Sequence, residues 1–259
     1  MTRPAISAQA WQWLERELDR WEEDGERARF WWRDDDASRP GERLDRLLDL
    51  AAVHELPLAI AVIPAQLDPA LFDRLSASPA VSVLQHGYTH DNFALPGQRS
   101  LELGGSRSTE QVLADLERGF AALGSTFGAR FVPALVPPWN RIDARVTRDL
   151  TSIGFRGIST HKARRAAYPA TGLLQVNTHL DPVNWRCDNG FVGVYPAIAV
   201  LVQHLVARRN GYRDADEPSG ILSHHLAMNK ATWHFLDELL QFLKEHPAVE
   251  FVGAEEIWG

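Results

Sequence analysis

The sequence contains a single cysteine, Cys187, among its 259 residues. One cysteine excludes an intramolecular disulfide framework and any zinc or iron–sulfur site built from several thiolates. No stretch reaches the roughly 18 consecutive apolar residues of a membrane-spanning helix. Charges recur every few residues in the N-terminal segment, which therefore lacks the apolar run of a signal peptide. We expect a cytoplasmic protein with no membrane partner. No histidine or asparagine pattern marks Cys187 as a nucleophile.

Basic residues are also scarce. The chain has 27 Lys and Arg against 34 Asp and Glu, so its net charge is −7. This balance argues against a protein that coats nucleic acid. The segment after the first apolar run reads RDDDASRPG instead of GxGxxG, which disfavours a dinucleotide-binding Rossmann domain.

Short apolar runs alternate with helical patterns along the chain. Eight runs are predicted as strands: 28–32, 58–63, 80–84, 130–136, 155–159, 173–176, 220–223 and 249–252. Helical spacing of apolar residues covers 7–24, 43–54, 109–123, 144–153 and 230–245. This alternation indicates a parallel sheet covered by helices, and the number of units favours an α/β barrel. Two segments, 93–108 and 186–218, are predicted as long loops.

Side chains that can bind metal or transfer protons follow several of the predicted strands. The first strand runs into Asp34, Asp35 and Asp36, and the third runs into His86 and His90. Later strands lead to further polar and aromatic residues: Trp139, Asn140, Asp181, Trp185 and His224. Because the carboxyl ends of the strands meet on one face of an α/β barrel, we expect these residues to form one site.

The pair His86 and His90 is spaced so that both rings would bind one divalent ion if the segment forms a helical turn. Two histidines with one carboxylate suit zinc or a similar first-row metal and leave positions for water and substrate. Adjacent aspartates point in opposite directions along a strand, so one would bind the metal while its neighbour serves as a base. Each motif also has a plain alternative, such as a solvated aspartate loop or, for His224, a packed residue at the barrel rim.

Taken together, five segments resemble the motifs of the polysaccharide deacetylase family, the NodB-homology or carbohydrate esterase family 4 enzymes. The family order is an aspartate pair, HxxxH, R-P-P-x-G, D-x-x-D-W and L-x-H. This chain reads DDDA, HGYTH, VPPWN, DPVNW and ILSHH in the same order over about 190 residues. The resemblance implies a distorted (β/α)7 TIM-like barrel of the NodB type. It does not decide whether an eighth strand is present. We expect one catalytic domain over residues 1–259, and the helical spacing near the start makes residues 1–27 an N-terminal helical extension.

The resemblance assigns a role to each matched residue. One divalent metal would be held by Asp36, His86 and His90, with zinc as the first choice and cobalt, nickel or manganese as alternatives. The catalytic residues would be Asp35 as base, His224 as acid and Asp181 as the group that orients His224. The other frame of the aspartate pair uses Asp34 and Asp35. The substrate-binding residues would be Pro138, Trp139, Asn140, Trp185 and Leu222.

Several positions depart from the family pattern. Val136 stands where the family has an arginine that holds the catalytic aspartate, so Arg33 or Arg141 would have to replace it. Three further positions differ from the usual family residue: Asn140, Asn184 and His225. These changes leave the metal-binding residues intact, whereas they put the substrate and the rate in question.

The expected activity is hydrolysis of the N-acyl group, most simply N-acetyl, of an amino sugar or oligosaccharide by metal-activated water. A small or cyclic amide is the alternative substrate, and a catalytically degenerate carbohydrate-binding protein is the alternative function. The sequence does not decide whether the chain forms a homo-oligomer. His179 is a candidate substrate contact, and the histidines expected outside the site are His54, His161, His204, His234 and His246.

Overall fold

The computed structural model describes residues 3–186 and 188–259. Cys187 and the first two residues of the predicted extension lie outside the described residues. The helices are α1 (Arg3–Glu23), α2 (Glu42–His54), α3 (Ala70–Ser76), α4 (Thr109–Phe127), α5 (Ala144–Ile153), α6 (Val194–Arg209), α7 (Lys230–Glu245) and α8 (Ala254–Trp258). The strands are β1 (Ala28–Ala37), β2 (Leu58–Val62), β3 (Val81–His86), β4 (Phe131–Val136), β5 (Gly157–Ile158), β6 (Leu174–Gln175), β7 (Val183–Asn184), β8 (Gly190–Phe191), β9 (Ser219–Ser223) and β10 (Val249–Phe251).

The main sheet is parallel and has the order β10-β1-β2-β3-β4-β5-β6, while β9 also pairs with β1. Residues after β6 connect the far edge back to β9. The Thr178 N–H donates to the Thr160 carbonyl, and the Leu222 N–H donates to the Leu180 carbonyl. The sheet therefore curls into the distorted NodB-type barrel that the sequence predicts. The eighth strand is β10, which pairs only with the first three residues of β1.

The strands are buried on both faces, as expected for a parallel sheet covered by helices. Every residue of β2 is buried. Inside the barrel, the Trp31 ring meets the edge of Trp258 from α8 at a centroid distance of 5.3 Å. The Trp258 indole N–H donates to the Leu174 carbonyl at the start of β6. Helix α8 thus packs at the amino ends of the strands and leaves the carboxyl ends for a site.

Helix α6 corrects the sequence prediction, which placed a loop over 186–218. Its sequence, VYPAIAVLVQHLVARR, is apolar on nearly all sides, so it lacks the one-sided periodicity that indicates a surface helix. It packs between α1 and the sheet. Helix α3 was also not predicted, whereas α5 and α7 have the predicted bounds.

Helix α1 packs onto the barrel helices through its apolar face. Leu14 and Leu18 are fully buried, and Trp11 lies 5.2 Å from Phe242 of α7 between ring centroids. Within the described ranges, no helix combines the length and the apolar composition needed to cross a membrane.

Candidate metal centre

Asp36, His86 and His90 meet at the carboxyl ends of β1 and β3. The Asp36 Oδ1 atom lies 3.0 Å from His86 Nε2 and 3.4 Å from His90 Nε2. One ligand atom from each of the three residues lies within 4.8 Å of the others. Two imidazoles and one carboxylate form a donor set suited to zinc and other first-row divalent metals.

The surrounding backbone orients these ligands. The Nδ1 atom of His86 is 3.0 Å from the Val136 carbonyl oxygen, to which its N–H donates. This bond directs Nε2 toward Asp36, which is the arrangement that fixes the tautomer of metal-binding histidines. Asp36 itself has a left-handed backbone with φ of 74°, and the pairing of β1 with β2 is irregular between Asp34 and Ala37. The residues present therefore fit a divalent metal.

Charge interactions within this trio favour the ionised carboxylate. Burial alone would raise the pKa of Asp36, but the hydrogen bond to His86 and the charge of that ring outweigh it and hold the pKa below its usual range. Burial alone would lower the pKa of His86, whereas the bond to Asp36 outweighs it and raises the pKa. An anionic ligand is thus maintained at a largely buried position.

Glu102 holds the loop that carries His90, and the sequence pattern did not reveal it. Its buried carboxylate accepts hydrogen bonds from the backbone N–H groups of Tyr88, Thr89 and His90 at 2.8, 2.9 and 3.2 Å. Gly87 has φ of 54°, and a Cβ there would lie 2.2 Å from Glu102 Oε2. The HGYTH segment therefore wraps around a carboxylate and does not form the helical turn considered above.

Arg33 holds Asp35, the predicted base. The Arg33 Nε atom lies 2.9 Å from Asp35 Oδ1, and Nη2 donates to Oδ2 at 3.0 Å. Arg33 also donates to Asn140 Oδ1 at 2.8 Å. Arg141, the other candidate for this role, donates instead to the Ser100 carbonyl. Of the two arginines considered from the sequence, Arg33 is the one that contacts Asp35.

Asp34 is turned away from the two histidines. It is fully buried, and its Oδ2 accepts hydrogen bonds from the Ser223 hydroxyl at 2.6 Å and from the His225 N–H at 3.0 Å. The His225 ring pairs with Oδ1 of the same carboxylate. The structure thus brings Asp36, and not Asp34, to the histidine pair.

His224 lies between Asp35 and Asp181. Its Nε2 is 3.9 Å from Asp35 Oδ2, and its Nδ1 is 3.9 Å from Asp181 Oδ1. These separations exceed hydrogen-bond length. The Trp185 indole N–H donates to Asp181 Oδ2 at 2.7 Å, and its ring meets His224 edge-on at 4.7 Å.

These residues surround a cleft of about 590 Å³. Its lining comprises Asp35, Asp36, His86, His90, Trp139, Asn140, Arg141, His161, Asp181, Val183, Trp185 and His224. Trp139 adopts a left-handed backbone with φ of 53°, and its ring packs on His90 at 4.6 Å. Leu222 and Pro138 are buried and lie outside this lining. A second cleft, of about 470 Å³, borders the other side of Asp36 and His90.

Two histidines are placed differently from expectation. His161, expected outside the site, lines the cleft, and burial is the main cause that lowers its pKa to about 4. His179, a candidate substrate contact, is buried and stacks on His204 at 3.4 Å between ring centroids. No sequence signal separates these two rings, because both follow short strands.

Comparisons with known proteins give a fold and no close relative. The sequence matches no protein-family model and no curated protein. The structure is similar to that of a Mycobacterium smegmatis protein described as a polysaccharide deacetylase by assignment, with a TM-score of 0.62 and 15% identity over 89% of each chain. It is also similar to a family 4 acetyl xylan esterase from Clostridium thermocellum that was solved with cobalt, with a TM-score of 0.56 and 15% identity over 88% of this chain and 89% of that one.

A third similar structure is a peptidoglycan N-acetylglucosamine deacetylase, with a TM-score of 0.54 and 15% identity over 93% of this chain and 96% of that chain. Many solved chains of the same enzyme group share this fold. The predicted resemblance is therefore confirmed at the level of the fold.

Proposed function

We propose that this protein is a metal-dependent hydrolase that removes an acyl group, most simply acetyl, from the nitrogen of an amino sugar. The observation that carries this proposal is the meeting of Asp36, His86 and His90, with Val136 fixing the His86 ring. These three residues would hold the metal. When bound there, a divalent metal supplies Lewis acidity that polarises the amide carbonyl and lowers the pKa of a water molecule.

Asp35 is proposed as the general base that takes the proton of the attacking water. It borders the cleft next to Asp36, and its contacts with Arg33 hold the carboxylate in one orientation. An ionised carboxylate in this position accepts a proton without any rearrangement of the backbone. Arg33 therefore acts as a positioning residue, in place of the arginine that Val136 replaces.

His224 is proposed as the acid that protonates the departing amine, because an amine does not leave as an anion. Its Nε2 lies 3.9 Å from Asp35 Oδ2, the oxygen that also accepts from Arg33, and Asp181 lies next to its Nδ1. Asp181, fixed by the N–H groups of Val183 and Trp185, would stabilise the protonated ring. The Trp139 backbone N–H is proposed to stabilise the developing oxyanion.

The shape of the site favours a sugar chain over a small amide. Clefts border the metal-binding residues on both sides, so a longer substrate can pass across the site. Trp139 and Trp185 supply flat faces for sugar rings. The similar peptidoglycan deacetylase and acetyl xylan esterase are both described as acting on acetylated saccharides.

The test combines metal content with acetate release. The purified protein is stripped with a chelator and reloaded with zinc, and acetate is measured with N-acetylated chito-oligosaccharides. We expect about one ion per chain and acetate release in the wild type, and loss of both in His86→Ala. Asp35→Asn should retain the ion and lose activity by roughly a hundredfold or more.

His234→Ala is the matched control, since this exposed histidine lies on α7 away from the cleft. A His86→Ala variant with full metal content and activity would refute the proposed centre. A loaded wild type that binds the oligosaccharides without releasing acetate would instead favour the carbohydrate-binding alternative.

A further inference from the structure

A third cleft, larger than the two described above, adjoins the site on the side of β5 and β6. It encloses about 1070 Å³ and shares one wall, His161, with the candidate catalytic cleft. Its other walls come from the segment after β5, from β6 and its continuation, and from the turn after α6. The two clefts therefore adjoin at His161, beyond the carboxyl end of β5, whereas the turn after α6 precedes β9 in the chain.

Three cations without an ion-pair partner in the described ranges line this cleft. Lys162, Arg165 and Arg213 line it and are exposed. None of the three makes an ion pair with any residue in the described ranges. The one carboxylate in the lining, Asp214, is paired with Arg164 at 2.7 Å. On a chain with a net charge of −7, three uncompensated cations around one cleft create a local field that attracts anions.

The backbone that carries these cations is fixed before any ligand arrives. The Lys162 N–H donates to the Thr178 carbonyl at 2.7 Å, and the Lys162 carbonyl accepts from the Asn177 amide at 2.7 Å. Lys162 is held with a left-handed φ of 79°. Buried Glu217 accepts the N–H groups of Arg164 and Asn177. A preorganised backbone reduces the entropy lost on binding.

The cleft also contains neutral groups suited to a sugar. The Thr160 hydroxyl and the Gln175 amide lie at its base, and Tyr212, which is 76% exposed, contributes an aromatic ring. Hydrogen-bonding groups with an exposed aromatic face are suited to saccharide binding. The three cations favour a ligand that carries an anionic group, which a neutral sugar chain lacks.

We propose that this basic cleft binds an oxyanion, phosphate or carboxylate, carried by the N-acylated sugar whose acyl group reaches the metal-binding residues. The proposal rests on the proposed function and narrows its substrate class to anionic amino sugars. Lys162, Arg165 and Arg213 would contact the oxyanion, while His161 lies between the two parts of the ligand. These residues are therefore specificity determinants and take no part in bond cleavage.

The test is equilibrium binding by calorimetry, in protein stripped of metal so that phosphate does not bind to a metal ion. The ligands are N-acetylglucosamine 6-phosphate, N-acetylmuramic acid and neutral N-acetylglucosamine. We expect at least one of the two anionic sugars to bind about tenfold more tightly or better than the neutral sugar, with an advantage that shrinks as salt is raised. The two anionic ligands distinguish phosphate from carboxylate as the preferred group.

The variant for this test replaces the three cations by glutamine: Lys162→Gln, Arg165→Gln and Arg213→Gln. We expect the anionic sugars to bind it no better than the neutral sugar. The matched control removes the same charges from exposed positions on α1, α5 and α7, with Arg16→Gln, Arg148→Gln and Lys244→Gln, and should keep the preference. This control separates a local site from a general effect of net charge.

Equal binding of charged and neutral sugars by the wild type would overturn the proposal without any variant, so the outcome does not depend on the folding of the triple variant. Retention of the preference in the triple variant would overturn it as well. Failure of the proposed function gives a different result. If the anionic sugars bound tightly but the zinc-loaded protein released no acetate, the proposed anion site would stand and the proposed deacetylase activity would be rejected.

Discussion

Two clusters in this barrel have the same composition, two histidines and one carboxylate, and opposite properties. In the candidate metal centre, the His86 Nδ1 donates to a carbonyl, so Nε2 is available to a metal. In the cluster of His179, His204 and Glu217, the His179 Nδ1 accepts the Gly220 N–H at 2.9 Å. The hydrogen of that neutral ring must then sit on Nε2, which faces Glu217 at 3.5 Å.

Burial separates the two clusters further. The side chains of Asp36 and His90 are 28% and 25% exposed, whereas that of Glu217 is fully buried. Both rings of the buried cluster are held neutral. Burial is the main cause that lowers the pKa of His179 to about 3 and that of His204 to about 2. The partner of Nδ1, and not the residue types, therefore separates the candidate metal centre from the buried cluster.

The largest effects are expected when the carboxylate of each cluster is converted into its amide. Asp36→Asn removes the anionic ligand of the candidate centre, so we expect metal affinity to fall by more than about a hundredfold, with loss of acetate release. Its side chain accepts no backbone N–H among the residues described, so the change in its free energy of unfolding should come mainly from the lost charge pairing with His86. Metal titration and urea unfolding of the same preparation measure both quantities. Retained affinity would contradict the assignment of Asp36.

In the buried cluster, Glu217→Gln should lower the free energy of unfolding and leave the metal content unchanged. Both oxygens of Glu217 accept a backbone N–H, from Asn177 and Arg164 at 3.0 and 2.9 Å. In Glu217→Gln the amide NH2 must face one of these donors, so we expect a loss of about 1–3 kcal/mol in the free energy of unfolding. Metal content should stay at the wild-type level. Loss of the ion in this variant would show that the buried cluster is the metal site.

A third test uses pH. The rings of His179 and His204 are neutral in the folded chain and bind protons in the unfolded chain near pH 6.5, so stability is full above that pH and falls as the pH drops toward about 3. The pKa of Glu217, raised by burial, works in the opposite direction. His179→Asn keeps an acceptor for the Gly220 N–H and removes one titrating ring.

We expect this variant to reduce the slope of stability against pH by about 1.4 kcal/mol per pH unit between pH 4 and 6. Urea unfolding at several pH values measures the slope. His234→Asn, at an exposed position on α7, is the control and should match the wild type. An unchanged slope in His179→Asn would mean that the ring is already charged in the folded protein.

The sequence predicts the strands of the main sheet and the meeting of the metal-binding residues, whereas one of the long helices escapes it. All eight main-sheet strands follow from apolar runs, because parallel strands are buried on both faces and leave a continuous signal. Barrel geometry predicts that polar side chains after different strands meet on one face, and in the structure Asp36, His86 and His90 do lie together. Helix α6 escaped prediction because its exposed face is also apolar, with Tyr195 and Val200 exposed, so the sequence shows no one-sided periodicity.

Side-chain partners from distant loops were beyond prediction. Alternation along a strand would place Asp34 and Asp36 on one face, but the left-handed backbone at Asp36 separates them. The burial of His179 and the exposure of His161 to the cleft depend on the packing of α6 and of the segment after β5. Only long-range contacts decide such cases, since the residue types are the same.

Glu102 offers the finest test, because it supports the metal loop as Glu217 supports the buried cluster. Its Oε1 accepts two N–H groups, from Tyr88 and Thr89, and its Oε2 accepts only the longer bond of 3.2 Å from His90. In Glu102→Gln the amide oxygen can keep the two shorter bonds, and only the His90 N–H loses its acceptor. We therefore expect a cost of about 1 kcal/mol in stability, smaller than that of Glu217→Gln.

This small cost should appear at the metal as well, since His90 is the ligand that the lost bond positions. Zinc affinity is expected to fall by roughly tenfold, within the range for groups that orient metal ligands. Titration of stripped Glu102→Gln with zinc measures the loss, and Gln66→Ala, which removes only a donor to the Thr89 carbonyl, serves as the control in the same region. If Glu102→Gln bound zinc as the wild type does, the loop would be fixed by its packing alone. The two buried glutamates would then differ in role, because only Glu217 would hold its segment through hydrogen bonds.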